Sequence, residues 1–479
     1  MKIFKGLKDN LEFLKKRLDS DDIEFIDVKV SNSDAVIIFV KDITDKDKIG
    51  DFILRPIAKL TNSPNKDDLM DTFLSPEKKT VKTLEEIIDQ VVSGSTALLV
   101  DGINEGFIFN LIKFERRAIM EPPTSTVIKG PREGFVESLD VNISLIRRKL
   151  KTSSLKVEDI KIGRYSKTPV SICYIDGIVD KKIIDKVKKK LNDISIDAVL
   201  DSSYVAKFLG EHKTSLFRQV GSTEKPDILA AKMLEGRVAI FVDGSPIALT
   251  VPYLLIEDLQ SPSDYYSSAY SATFARAIRI LSVIIAILLP AFYVSAELFH
   301  LQLIPLSFLL TIVNSIKGIP LSASYEMFFT LLIFEILNEA SVRMPKYVGM
   351  VVSIVGGLVL GETAVTAGII SAPTLMIIAF SGICLYTAPE LEHTFSIIRF
   401  IFLIIAGSVG VYGILCGLCF MLIYLTSFES YSTPLMAPFS PLITKDLKDS
   451  IYKGFLLEQS HRPVSLKNVN VKGNLKRKG

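Results

Sequence analysis

Residues 280–296 read ILSVIIAILLPAFYVSA, seventeen positions without Asp, Glu, Lys or Arg. Three more charge-free runs follow: 298–316 (19 residues), 363–389 (27) and 400–428 (29). A bilayer core of ~30 Å needs roughly 20 apolar residues as helix. The stretch from 274 to 428 is therefore expected to be an α-helical polytopic membrane domain. A hydrophilic region precedes it and a basic tail follows it.

The whole composition agrees with this division. The chain has 479 residues, 23% of them charged. A mean hydropathy of +0.35 is high for that charge content, so the average hides a charged front and an apolar back. A net charge of +3 argues against nucleic acid as partner, and no basic stripe carries interleaved aromatics. The N-terminus, MKIFKGLKDNLEFLKKRL, is basic but has no continuous apolar core, so it does not read as a secretory signal. The front half is expected to stay in a reducing cytoplasm. Cys173, Cys384, Cys416 and Cys419 are read as free, with Cys416-x-x-Cys419 as small-residue packing inside an apolar span.

The front region reads as α/β. Leu7, Leu11, Leu14 and Leu18 at helical spacing predict an amphipathic N-terminal helix within 1–24, packed on its own domain or touching a membrane surface. Strands are expected at 35–40, 97–100 and 108–112, with helices at 49–60 and 84–92 and an exposed loop at 61–79. A second block repeats the plan, with strands at 170–175, 238–242 and 247–251 and helices at 181–191 and 228–234. The Asp101-Gly102 and Asp243-Gly244 turns lie 142 positions apart. This predicts two related α/β subdomains of βαβ-like units, 25–136 and 137–260, before a helical domain at 261–428 and a cytosolic tail at 429–479. Chance similarity of two such units is the alternative.

Between the blocks, Pro122-Pro123 and Gly130-Pro131 fix turns beside charged residues. Arg117, Glu121, Gly130, Pro131, Arg132, Glu137 and Asn142 are the candidates for an interdomain interface. A solvated linker is the other reading.

Tyr265, Tyr266 and Tyr270 stand where an aromatic belt would lie, and Arg276 and Arg279 precede the first span. The tail beyond 446 is rich in Lys and Arg, so both ends are expected inside, with an even number of crossings. Candidate segments are 277–296, 299–316, 324–342, 347–361, 364–388 and 400–427. Prolines interrupt several of them, and four crossings fit about as well as six.

No catalytic constellation, cofactor motif or metal spacing stands out, so an enzyme is not expected. The informative residues are the polar ones beside lipid. Glu335, Glu339 and Arg343 are spaced i, i+4, i+8 in an apolar segment. A charge at the bilayer centre costs at least ~2.5–3.5 kcal/mol on insertion scales. The stripe reads either as the lining of an ion path or as an interfacial helix with an ordinary Glu339–Arg343 pair. In VVSIVGGLVLGETAVTAG (351–368), Val352, Val355, Val359, Glu362 and Thr366 form one narrow seam, and Gly357-x-x-x-Gly361 permits close helix contact. That seam reads as a dewetting pore or as tight packing inside one subunit.

Taken in order, these stretches resemble the A subunit of the GerA family of spore germinant receptors. The resemblance is carried by Glu121-Pro122, Gly130-Pro131-Arg132-Glu133-Gly134-Phe135, Glu137, Asn142 and Arg148. It continues through Gly163-Arg164-Tyr165-Ser166, Pro226-Asp227, Glu235-Gly236-Arg237, Asp243-Gly244-x-Pro246 and Asp264-Tyr265-Tyr266. Leu289-Pro290, Glu339-Ala340 with Arg343 and Pro345, Ile354-Val355-Gly356, Ala364-Val365-x-Ala367-Gly368 and Ser427-Phe428 complete it. Ser125 replaces a usual Glu, Arg218 a usual Pro and Lys225 a usual Arg.

The resemblance implies a role in starting germination, in the inner spore membrane. It implies a permease-like B subunit and a lipoprotein C subunit as partners, with the B subunit taken to bind the nutrient. It further implies a homo-oligomeric ring of A subunits that forms an ion channel. A membrane transporter with a cytosolic regulatory domain and a non-conducting scaffold are the rival readings.

Overall fold

The computed structural model describes all residues except 32, 61–65, 74, 76, 114–129, 346–360, 456–460 and 470–479. Two five-stranded sheets come first and a helical region follows.

The first unit holds α1 (Leu7–Arg17), β1 (Ile23–Val30), β2 (Ser33–Val40) and the helical stretch α2 (46–58). It continues with α3 (Lys66–Thr72), β3 (Lys78–Val81), α4 (Leu84–Val92), β4 (Thr96–Val100) and β5 (Gly106–Phe109). The second holds α5 (Leu139–Lys149), β6 (Leu155–Ile162), β7 (Thr168–Ile175), α6 (Lys181–Asn192) and α7 (Ser202–Leu209). It is completed by β8 (Gly221–Thr223), α8 (Pro226–Leu234), β9 (Val238–Val242) and β10 (Ala248–Val251). The sheet orders are β1-β2-β4-β5-β3 and β6-β7-β9-β10-β8, the same permutation twice. Every pair is antiparallel, so the expected βαβ-like units are instead hairpins and long returns.

The run AVIIFV forms a central strand because both its faces are covered. Val36, Ile38 and Val40 pack toward α1 and α4, while Ala35, Ile37 and Phe39 pack toward α2 and α3. The alternation of side chains along a strand makes one run serve two cores. The second sheet is filled the same way, with Val170 and Ile172 on the α6–α7 side and Cys173 and Ile175 on the α5–α8 side. Leu7, Leu14 and Leu18 lie in the first core, so the apolar face of α1 is spent on its own sheet.

The repeat extends to single hydrogen bonds. Asp101 Oδ1 accepts from Leu7 N (2.9 Å) and Asp243 Oδ1 from Leu139 N (3.2 Å), each capping the helix that opens its unit. Gly102 and Gly244 take φ of +87° and +84°, and their amides bond Lys5 O (2.9 Å) and Glu137 O (2.8 Å). Asn10 clamps the Phe4 backbone at 2.9 and 2.7 Å, and Asn142 clamps Val136 at 2.8 and 2.6 Å.

The units are joined by a buried ion pair. Arg147 Nε and Nη2 meet the two oxygens of Asp22 at 2.6 and 2.7 Å. Beside it, Val157 N donates to Ser20 Oγ at 2.9 Å, and Asp21 N donates to Val157 O at 2.9 Å.

A short helix, α9 (Pro262–Tyr266), leads into the helical region. That region comprises α10 (Ala269–Phe299), α11 (Leu306–Ile316), α12 (Ala323–Arg343), α13 (Gly361–Thr366), α14 (Ala372–Leu385), α15 (Glu392–Val409) and α16 (Val411–Thr426). α10 packs against α12, α14, α15 and α16. Among the described residues, two helical stretches, α10 and 389–409, are long and apolar enough to cross a membrane; α11, α14 and α16 are shorter apolar helices.

Several expected segment limits shift for local reasons. Pro305 delays the start of α11. The 364–388 segment splits at 367–371. The 400–427 segment is two helices, broken at Gly410 (φ +71°, ψ −151°), and its first half begins eight residues earlier, at Glu392. The 347–361 segment lies outside the described residues, apart from Gly361.

The described parts of the tail fold back. Tyr431 joins the core of the second unit, and Val469 N bonds Ile178 O at 3.0 Å.

Candidate functional site

An arginine ties the helical region together. Arg399 on α15 is 1% exposed. Its Nη2 bonds Glu335 Oε1 on α12, and its Nη1 donates to Ser381 Oγ on α14 (2.9 Å). Ser381 Oγ in turn donates to Ala286 O on α10 (2.8 Å), and Ser396 Oγ donates to Glu335 Oε1 (2.9 Å). The Phe334 ring lies 5.7 Å from the guanidinium. Three helices thus meet on one cation, and Ser381 links it to a fourth, α10. Arg399 is buried while Glu335 keeps partial access to solvent, so the charge most exposed to loss of its partner is the arginine.

A second polar cluster lies at the start of α14. Glu326 on α12 is 1% exposed, and its Oε1 accepts from Ser371 N and Ser371 Oγ, both at 2.7 Å. Ser371 caps α14, so the carboxylate sits at the positive end of that helix. Tyr293 on α10 is buried and faces Glu297, Glu326 and Thr374.

The sequence candidates fall in three groups. Glu335 turns inward to Arg399, whereas Glu339 and Arg343 form an exposed pair at 2.6 Å. Four residues advance a helix by about 400°, so each i+4 step drifts by about 40° and an i+8 stripe leaves one face. Glu362 and Thr366 lie on α13, where Thr366 Oγ1 bonds Glu362 O. Val352, Val355 and Val359 lie outside the described residues. Arg399 carries no sequence signal of its own, because it sits with Glu390 and Glu392 in the charged gap between the runs 363–389 and 400–428.

The interface candidates gather at the base of the helical region only in part. Gly130 takes φ of +122° with the Tyr266 ring against it, and a Cβ there would stand 2.6 Å from Tyr266 Cδ2. Pro131 O accepts from the buried Lys225 Nζ at 2.8 Å. Glu137 and Asn142 serve the internal repeat contacts of the second unit, and Arg132 is exposed. Arg117 and Glu121 lie outside the described residues. Arg218, a departure from the family pattern, bonds Asp258 and reaches Glu390 on the helical side at 2.7 Å. Arg276 on α10 joins Asp264 (3.2 Å) and Asp449 of the tail (3.1 Å).

Beneath this junction Glu257 pairs with Arg237 (2.8 Å) and Lys232 (2.6 Å). Burial by itself would push its carboxyl up; the two cations outweigh that and hold it down at about 2.

Residues 11–465 match the family model described as Bacillus/Clostridium GerA spore germination protein. The chain belongs to the GerA family. It is 35% identical over 471 residues to spore germination protein KA of Bacillus subtilis, covering 96% of this chain and 87% of that protein. It is 35% identical over 479 residues to the uncharacterized membrane protein YfkQ of Bacillus subtilis, covering 98% and 93%. The crystal structure of the N-terminal domain of the A subunit of the Bacillus megaterium spore germinant receptor GerK3 aligns with a TM-score of 0.43 at 30% identity, covering 53% of this chain and 98% of that one. Spore germination protein GerQA of Bacillus cereus is 34% identical over 464 residues, covering 96% of this chain and 92% of that protein.

Proposed function

We propose that this GerA-family chain is the A subunit of a germinant receptor and that several copies enclose a gated ion path through the inner spore membrane. A permease-like B subunit and a lipoprotein C subunit complete the receptor, and nutrient capture by a partner biases a closed–open equilibrium. Moving that equilibrium from 1:99 to 99:1 takes ~5.5 kcal/mol of differential affinity, which a ring can share among subunits. Val352, Val355, Val359, Glu362 and Thr366 line the path in this reading, with Glu335, Glu339 and Arg343 beside it.

One observation carries the reading. The helical region turns large apolar side chains outward, including Leu281, Ile284, Leu310 and Ile404, while Arg399 and Glu326 are buried among its helices. That is the distribution expected of a polytopic protein in lipid with a polar interior. Both ends of the region meet the second α/β unit, since Tyr253 N bonds Ser430 Oγ at 3.1 Å. This supports N- and C-termini on one side, the cytoplasmic one.

Single cysteines at 352, 355 and 359, introduced into the full receptor in spore membranes, test the ring. Links between neighbouring copies are expected along this face and not at Ile354→Cys or Leu358→Cys. Links on neither face, or equally on both, contradict it.

A further inference from the structure

A cleft of about 500 Å³ opens where the second α/β unit, the connector and the helical region meet. Its walls come from β8 and α8, from 257–266, and from Pro389 and Glu390. The volume is that of a small-molecule site.

The charge in this cleft does not balance. Six carboxylates line it, Glu224, Asp227, Glu235, Glu257, Asp258 and Glu390, against three basic side chains, Arg218, Lys232 and Arg237. All three bases are already committed: Arg218 to Asp258 and Glu390, Lys232 to Glu257, and Arg237 to Glu235 and Glu257. Among the described residues, Glu224 and Asp227 are left without a cation. Asp227 Oδ2 accepts the Tyr266 hydroxyl, but Asp227 Oδ1 and Glu224 Oε2 are buried with no donor among the described residues. Lys225, between them in sequence, sends its ammonium away to Pro131 O (2.8 Å). A buried acceptor left unmade costs free energy that a ligand donor recovers.

We propose that this cleft binds a small organic ammonium compound, its N–H groups on Glu224 and Asp227 and its apolar body against Ile228, Ile247 and Pro262. An ammonium fits better than a bare metal ion. A hard divalent cation needs six to eight oxygens, and among the described residues no group of three or more His, Cys, Asp or Glu is disposed to hold one. The exposed Tyr266 ring at the rim adds an aromatic face for a cation. Because the walls belong to three parts of the chain, an occupant would bridge the α/β unit and the helical region. The proposal stands on the cleft alone and does not rest on the channel reading.

The test is calorimetric titration of the purified full-length chain in detergent with n-butylammonium chloride, using sodium butyrate as the anionic match. The ammonium is expected to bind and the carboxylate not to. Glu224→Gln with Asp227→Asn is expected to weaken ammonium binding at least tenfold while the melting temperature does not fall, since it removes unpaired buried charge. Glu224→Gln alone, which leaves the Tyr266–Asp227 bond in place, is expected to weaken it at least threefold and covers the case of a misfolded double variant. No ammonium binding, equal binding of butyrate, or unchanged affinity in both variants overturns the proposal. Displacement of the ammonium by millimolar CaCl2 with direct Ca²⁺ binding overturns the ligand class.

Discussion

Arg399 shows how one side chain can hold an apolar region in a single arrangement. Its partner Glu335 belongs to a stripe that looks uniform in sequence, yet the other two members pair with each other in the open. Arg399→Met leaves the half-buried Glu335 with Ser396 as its remaining partner and is expected to cost about 1–3 kcal/mol. Glu339→Gln, at an exposed pair, is expected to change stability by less than about 1 kcal/mol. Thermal unfolding of the two variants in the same detergent checks the contrast; equal losses would contradict the inward turn of Glu335.

Asp42 follows a different rule. Burial, then the charges of Asp140 and Asp22, push its carboxyl up to about 7 from 3.8. The folded state therefore holds the proton more tightly than the unfolded chain. The penalty for ionising is absent below about pH 4, grows from there to about pH 7 and is complete above. Asp42→Asn removes it and is expected to raise stability by up to about 4 kcal/mol at pH 8, with the gain gone at pH 4. Denaturant unfolding at the two pH values checks this, and a gain of the same size at both would contradict it. Glu257 has the opposite sign: its stabilisation is present above about pH 4.5 and is lost as pH falls toward 2.

At the scale of elements, the sequence made the central strands visible and hid the edges. β2, β4, β7, β9 and β10 are mainly apolar and uncharged over their central residues because helices cover both faces of each sheet. The four strands that sequence reading passed over, β1, β3, β6 and β8, are the sheet edges. β1 and β6 read IEFIDVKV and LKVEDIKI, with charges breaking the run as edge strands require. β3 and β8 have only four and three residues.

The repeat was legible from its two Asp-Gly turns. Its extent was not, because the Asn10 and Asn142 clamps pair with backbone and leave no pattern in side-chain type. Asn10→Ala and Asn142→Ala are expected to cost similar amounts, about 1–2 kcal/mol each. A large difference in their denaturant midpoints would argue against equivalent units. Charge-free length was no guide to helix length: the 17-residue run 280–296 lies inside a 31-residue helix, while the run 400–428 hides a chain reversal. Gly410 adopts a backbone almost confined to glycine, with Phe299 already against it. Gly410→Ala is expected to destabilise the α15–α16 corner by about 1–3 kcal/mol, read as a lower melting temperature.

At the scale of the whole molecule, two sheets carry the mass outside the helical region, and the tail returns to lock that region to the second sheet. Arg218, Arg276 and the cleft beside them sit where the second α/β unit, the tail and the helical region meet. In the proposed receptor, a partner's nutrient binding reaches the helices through this junction, and the helices answer by opening a path among copies of the chain.

The direct measurement is single-channel recording of the purified receptor complex in planar bilayers. The account predicts discrete conductance steps in the presence of germinant, with amplitude or open time altered by Val355→Ala and by Glu339→Gln. A complex that incorporates into the bilayer, responds to germinant and passes no current would contradict it.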